Sequence, residues 1–328
     1  MAIDLLDSSP ELLAEQQGQV GHLLIDEAQD LDSKQLRLLG MLLGPDSTLF
    51  AIGDPDQSIY AFRGASAELF ERFEVDYPTG KRHRLHRNYR SGRCIVDGAR
   101  QVIEAGSAGE RKLVSQLIEQ QRIRLHEAVS EKAEAEFVVA SVEALLGGHS
   151  FFSLDSGRGQ EGPVTSLSFS DIAILVRTSA QLDALDEAFE RSGLPFQRSD
   201  LERSLNPESS QDAFDPRAER IALMTLHASK GLEFEVVFIC GCEDGILPLR
   251  FGPVEAAEEA EERRLFYVGM TRARSLLFLT QARRRLVSGK MRETKASPFL
   301  EVIRETLTEK GKALSKTRRS KHTQLSLL

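Results

Sequence analysis

No run of this sequence approaches the roughly 18 consecutive apolar residues that a membrane-spanning helix needs. The opening MAIDLLDSSPELLAEQQ has neither the basic start nor the apolar stretch of a signal peptide, so a cytoplasmic location with no membrane partner is expected. Cysteine is scarce: Cys94, Cys240 and Cys242 are an odd number without metal-ligand spacing, which excludes a disulfide framework and a zinc site. They read as core or spectator thiols. Positive charge is in deficit, with 42 Lys and Arg against 50 Asp and Glu and a net charge of -8, so any contact with nucleic acid must be local rather than a matter of bulk electrostatics. The sequence also lacks GxxxxGK[ST], the loop whose backbone amides and lysine cradle β- and γ-phosphates; glycine pairs such as Gly147 and Gly148 have no lysine beside them. No internal repeat is visible.

What is present suffices for a core. With 328 residues, 41% hydrophobic and 28% charged, two domains of ordinary size are expected. Glu255, Glu258, Glu259, Glu261 and Glu262 crowd one stretch, while Lys312, Lys316, Arg318, Arg319 and Lys321 make the end basic; a solvated helix face and a disordered tail are the plain readings. Apolar runs at 22–25 and 48–52 each end in acidic residues and flank a leucine-rich helical segment at 33–43. Strand, helix, strand of this kind is the pattern of a parallel sheet covered by helices, whose ligands gather at the C-terminal strand edge. A second α/β unit is expected from about residue 85. It has helices over 91–104, 131–146, 180–192 and 258–274, and strands over 122–126, 171–176, 221–226, 236–240 and 276–280. Ser- and Gly-rich stretches at 151–170 and 206–215 read as loops.

Two strings carry chemistry. LLIDEAQD delivers Asp26 and Glu27 from a strand end, an arrangement that can hold a phosphate-bound magnesium and orient a water, because magnesium keeps several waters and needs only one or two carboxylates. GDPDQSIYAFRGA, residues 53–65, begins at the end of the next strand. There Gln57 could sense a terminal phosphate, and Tyr60, Phe62 and Arg63 put aromatic faces and a guanidinium in one loop on which bases of single-stranded DNA could stack. An aromatic pair filling core beside a salt-bridged arginine is the alternative.

DEAQD followed by GDPDQSIYAFRGA resembles motifs II and III of UvrD/Rep-type superfamily 1 DNA helicases. LHRNYRS (85–91), MTLHASKGLEFEVVFI (224–239) and EERRLFYVGMTRAR (261–274) are similar to motifs IV, V and VI, and DIAILVRTSAQLDALDEAFERSGLPF (171–196) to the part preceding motif V. The resemblance implies an α/β fold of two RecA-like lobes with parallel sheets and flanking helices. It assigns residues 1–84 to a partial first domain, 85–305 to a complete second domain and 306–328 to the tail. It further implies an ATP- and Mg2+-dependent 3′ to 5′ helicase acting on single-stranded DNA in repair or replication. By that resemblance Asp26 binds magnesium, Glu27 is the general base, and Gln57 couples phosphate to DNA. Tyr89 stacks on adenine, Arg90 and Arg272 reach the γ-phosphate, and Glu233 meets the ribose. Phe62, Arg63, Thr225 and His227 line the DNA surface, with Phe62 standing where many relatives have tryptophan. His227 as a structural histidine and Lys230 as a solvated lysine stay open.

The departures from the family are the missing phosphate loop, with only about 20 residues before DEAQD, and a gap between Tyr89 and His227 too short for the large mobile subdomain of full-length relatives. Unaided ATP turnover is therefore not expected, and the open sheet edge invites pairing with a chain that supplies the missing N-terminal half. Two readings remain: part of a helicase, or a catalytically inactive DNA- or partner-binding module. QLSLL at 324–328 is similar to peptides that dock on the sliding clamp.

Overall fold

Two four-residue strands, β1 (His22–Ile25) and β2 (Thr48–Ala51), pair in parallel with Ile25 opposite Ala51. They belong to a computed structural model that describes residues 1–65, 69–106, 111–118, 121–147, 167–199, 214–250, 256–287 and 289–310, leaving aside the side chains of Arg63, Leu69, Glu71, Ala256 and Val287. Most of the expected loop at 151–170, most of the loop at 206–215, most of the basic tail and the clamp-like peptide lie outside these residues. The helices around β1 and β2 are α1 (Ala2–Ser8), α2 (Pro10–Gln19), α3 (Ser33–Leu42) and, after the GDPDQ loop, α4 (Leu69–Asp76). Asp32 caps α3, its carboxylate accepting the Lys34 and Gln35 amides while Gln35 returns a bond to the cap. This first lobe leaves Leu24, Phe50 and Ile52 exposed.

The second lobe is a seven-stranded, wholly parallel sheet. Its strands are β5 (Ile123–Ala128), β6 (Ile172–Val176), β7 (Phe196–Ser199), β8 (Ile221–Thr225), β9 (Phe234–Ile239), β10 (Ala273–Ala282) and β13 (Thr308–Lys310), in the order β13-β5-β10-β9-β6-β8-β7. A pair β3 (Arg87–Asn88) and β4 (Val114–Ser115) lies at its entrance, and a hairpin, β11 (Arg284–Val287) with β12 (Lys290–Glu293), follows β10. The helices are α5 (Arg93–Glu104), α6 (Glu131–Leu145), α7 (Leu182–Ser192), α8 (Ala256–Met270) and α9 (Pro298–Glu301). This is the α/β architecture of parallel sheet and flanking helices that the resemblance implies.

Each central strand feeds two cores. On β6, Ala173 and Leu175 enter the cluster shared with α5 and α8, whereas Ile172, Ile174 and Val176 enter the one shared with α6 and α7. Successive side chains point to opposite faces of a sheet, and both faces here are covered, so the strand reads as one unbroken apolar run. Phe238 and Phe278 stack across β9 and β10 at 4.2 Å. All three cysteines are free and buried.

The helix expected over 258–274 stops at Met270. The Thr271 hydroxyl donates to the Tyr267 and Val268 carbonyls at 3.0 Å, and Arg272 Nε donates to Val268 O at 3.0 Å, so two side chains satisfy the last turn and release the chain into β10. Behind the sheet, Arg285 is buried between Glu134 and Glu243, with Nε to Glu243 at 2.7 Å, and ties the hairpin to α6. Burial pushes the Glu243 carboxyl up against the pull of Arg285. No helix among the described residues is long and apolar enough to cross a membrane.

Candidate functional site

Asp26 and Glu27 lie just beyond β1, at the C-terminal edge of the small sheet. Glu27 has φ 50° and ψ 42°, the one non-glycine residue with positive φ among the described residues. Its amide donates to Asp26 Oδ1 at 2.9 Å, and Gln29 donates its side-chain amide to Glu27 Oε2. Gln29 is fully buried; its Oε1 accepts the Asp54 N–H at 3.0 Å, and its carbonyl accepts the Ser58 hydroxyl at 3.2 Å. It therefore fixes the DE pair against the GDPDQ loop.

That loop is the hinge of the whole arrangement. Gln57 Nε2 donates to Asp54 Oδ2 at 2.8 Å, and Gln57 Oε1 accepts from Arg272 Nη2 of the second lobe at 3.2 Å. Asp56 accepts two bonds from Arg111, at 2.7 and 2.8 Å. The Ser58 carbonyl accepts Arg264 Nε at 2.8 Å, and the Ala61 N–H donates to Glu261 at 3.2 Å. Ile59 is fully buried within the second lobe's own core. Burial raises the Asp54 carboxyl despite the Gln57 hydrogen bond. Lys230, with its side chain only 7% exposed, is no solvated lysine: its ammonium reaches Asp30 at 2.5 Å, the Gln57 carbonyl at 2.9 Å and Glu27 at 3.4 Å.

Arg272 stands in the cleft with little solvent. Burial, then the charge of Arg90, brings its guanidinium down to about 10. Arg90 Nε pairs with Glu233 at 2.5 Å, and Arg274 pairs with the same carboxylate and, at 3.6 Å, with Glu235. Burial pushes the Glu233 carboxyl up, but Arg274 and Arg90 outweigh it and the net shift is downward. The Asn88 carboxamide accepts the Arg90 and Ser91 amides at 2.9 Å, setting the turn that leaves Tyr89 67% exposed. Thus Arg90, Arg272 and Glu233 come together, and Arg272 meets the Gln57 of the first lobe. The Glu233 carboxylate offsets part of the positive charge of Arg90 and Arg272, and an anionic group entering beside them would meet two guanidiniums.

A second surface gathers rings. Tyr60, Phe62 and His227 have centroids 6.0 to 6.5 Å apart, Phe62 is 58% exposed, and Lys230 lies 5.2 Å over the Tyr60 ring. His227 is 8% exposed; burial and then the charge of Arg177 hold its imidazole down at about 4, hence neutral. Arg63 sits in the adjoining turn, its side chain outside the described residues. Thr225 is not brought to this surface: it is 3% exposed and its hydroxyl accepts the Ala228 N–H at 3.3 Å. Gln29, Arg111, Arg177, Arg264 and Arg274 escape a motif reading. Gln29 sits inside DEAQD, Arg177 inside the 171–196 string, and Arg264 and Arg274 inside EERRLFYVGMTRAR, whereas Arg111 lies outside every quoted string.

A hard cation fits Asp26. Its second oxygen has no protein partner among the described residues, while the first is held by the Glu27 amide. No cluster of three or more His, Cys, Asp or Glu that could hold a metal occurs among the described residues, so one carboxylate plus phosphate and water is the arrangement the donor set allows.

The family model described as the UvrD-like helicase C-terminal domain matches residues 83–205 and 200–284, and that of the UvrD/REP helicase N-terminal domain matches residues 1–78. The chain is 26% identical to an "ATP-dependent DNA helicase PcrA" of Leuconostoc citreum, over 98% of this chain and 62% of that protein. It is 30% identical to a "Probable DNA helicase" of Mycoplasma pneumoniae, over 84% of this chain and 46% of that one. A solved C-terminal domain of a possible DNA helicase from Lactobacillus plantarum aligns at 18% identity and TM-score 0.40, over 67% of this chain and 97% of that domain. The chain thus spans less than two thirds of the length of these two curated relatives.

Proposed function

Because the chain belongs to the UvrD-like helicase family, we propose that it forms the nucleotide- and strand-binding part of an ATP-dependent DNA helicase that moves 3′ to 5′ in DNA repair or replication. The observation that best supports this reading is Gln57, whose one side chain joins Asp54 of the acidic lobe to Arg272 of the arginine-bearing lobe. A group so placed senses both halves of a cleft at once.

In this reading Asp26 holds magnesium and Glu27, turned by its left-handed backbone and the Gln29 amide, takes the proton of an attacking water. ATP with its magnesium supplies the phosphoryl group. Arg90 and Arg272 neutralise charge that develops on it, Tyr89 offers a face for the base, and Glu233 meets the ribose. Since Glu233 also holds Arg90, nucleotide binding requires Arg90 to change partner, and Arg274 keeps the carboxylate in place. Phe62 and His227, with Tyr60 and Arg63, take successive bases of single-stranded DNA. A polypeptide that carries a phosphate loop would pack on the open face of the small sheet, covering Leu24 and Phe50.

A binding module without turnover is the second reading, favoured by one observation: residues 1–328 contain no GxxxxGK[ST]. Titrating ATP analogue and single-stranded DNA into the chain, then repeating the ATPase assay with Glu27→Gln, separates the two. Under the first reading both ligands bind, and whatever turnover exists drops by about 100-fold or more in the variant. DNA binding without binding of the ATP analogue assigns the module reading; binding of neither ligand removes both.

A further inference from the structure

KRHRLHR, residues 81–87, runs between the lobes and is used neither by the nucleotide cleft nor by the aromatic surface. It carries Lys81, Arg82, Arg84 and Arg87 with His83 and His86, and every residue from 78 to 87 is exposed. Residues 81–86 have no helix or strand, and Arg87 opens β3. Arg82 is neutralised by Glu74 at 2.6 Å. Lys81, Arg84 and Arg87 meet no carboxylate within ion-pairing distance among the described residues.

In a chain of net charge -8, this is a local concentration of unneutralised positive charge. Its shape restricts what it can hold. The segment is exposed along its length, so it cannot strip water from a small anion. Where the chain is extended, Lys81 and Arg87 stand up to about 20 Å apart with Arg84 between them, a spacing wider than one nucleoside triphosphate bridges. A phosphodiester backbone, with a charge about every 3.4 Å of rise per strand, offers a phosphate within reach of each of these more widely spaced cations, and it gains by releasing condensed counterions rather than by desolvation.

We propose that residues 81–87 are a second nucleic-acid contact, in which Lys81, Arg84 and Arg87 grip the sugar–phosphate backbone of DNA without reading its bases. This contact adds to the strand-binding reading of Phe62 and His227 and is tested apart from it. Fluorescence anisotropy over a salt titration, with a labelled single-stranded oligonucleotide and with its duplex, compares four proteins. These are the wild-type chain, Lys81→Gln/Arg84→Gln/Arg87→Gln, Phe62→Ala, and a control that neutralises three exposed cations elsewhere, Lys132→Gln/Arg191→Gln/Arg217→Gln. The linker variant is expected to flatten the dependence of log affinity on log salt by about 2 on single strands or nearly 3 on duplex, equally for all sequences. Phe62→Ala weakens binding at unchanged slope, and the control leaves the slope as it was. A slope change on either DNA supports the contact, and the larger of the two names the form bound. An unchanged slope in the linker variant, or an equal change in the control, overturns it while the aromatic surface stands. A silent Phe62→Ala beside an active linker variant does the reverse. A wild-type chain that binds neither DNA ends both.

Discussion

Glu27 is held in a left-handed conformation that costs a residue with a Cβ about 1 to 3 kcal/mol, and the buried Gln29 is the group that holds it there. Strain maintained by a dedicated partner, at a carboxylate beside a cleft, places Glu27 apart from the other exposed acids of the chain. His227 stores free energy differently. Its folded imidazole is down at about 4 against 6.5 in an open chain, so between those values the unfolded chain binds the extra proton. Stability should therefore be fully present above about pH 6.5 and should fall as pH drops towards 4, by about 3 kcal/mol from this residue. Urea unfolding of the wild type and His227→Gln across that range checks it: the difference between the two stability curves should slope with pH, and parallel curves would remove the assignment.

At the level of elements, α8 passes so close to the ends of β8 and β9 that a Cβ on Gly269 would lie 2.3 Å from Leu226 Cδ2 and 3.2 Å from Ile239 Cδ1. Gly269→Ala should cost about 1 to 3 kcal/mol by overpacking, read as a lowered denaturation midpoint at unchanged m-value. A variant as stable as the wild type would mean α8 can shift. The strands at the centre of the large sheet are legible in the sequence, because burial on both faces leaves runs such as IAILV with nothing polar in them. Short or polar strands are not: FQRS in β7, TEK in β13 and the β11–β12 hairpin carry no apolar period. The end of α8 was hidden for another reason, since the side chains that stop it continue the helical pattern to the eye. The site divides the same way. DEAQD, GDPDQ and the two arginine motifs are local strings, whereas Arg111 on Asp56 and Arg264 on Ser58 are pairings across 55 and 206 residues that leave no local trace.

For the molecule as a whole, the two lobes are joined by the GDPDQ loop, by Ile59 inserted in the second core, and by Lys230. Lys230→Met removes charged hydrogen bonds to Asp30 and Gln57, and should cost about 2 kcal/mol and separate the melting of the small lobe from that of the large one in calorimetry. A single transition at the wild-type temperature would show that Ile59 and the arginines suffice. The outermost strand of the large sheet has a different implication. β13 lies beside β5, and Glu309 reaches back 185 residues to Arg124. A chain cut before residue 308 would therefore leave the outer backbone donors and acceptors of β5 open to pairing with a strand of another molecule.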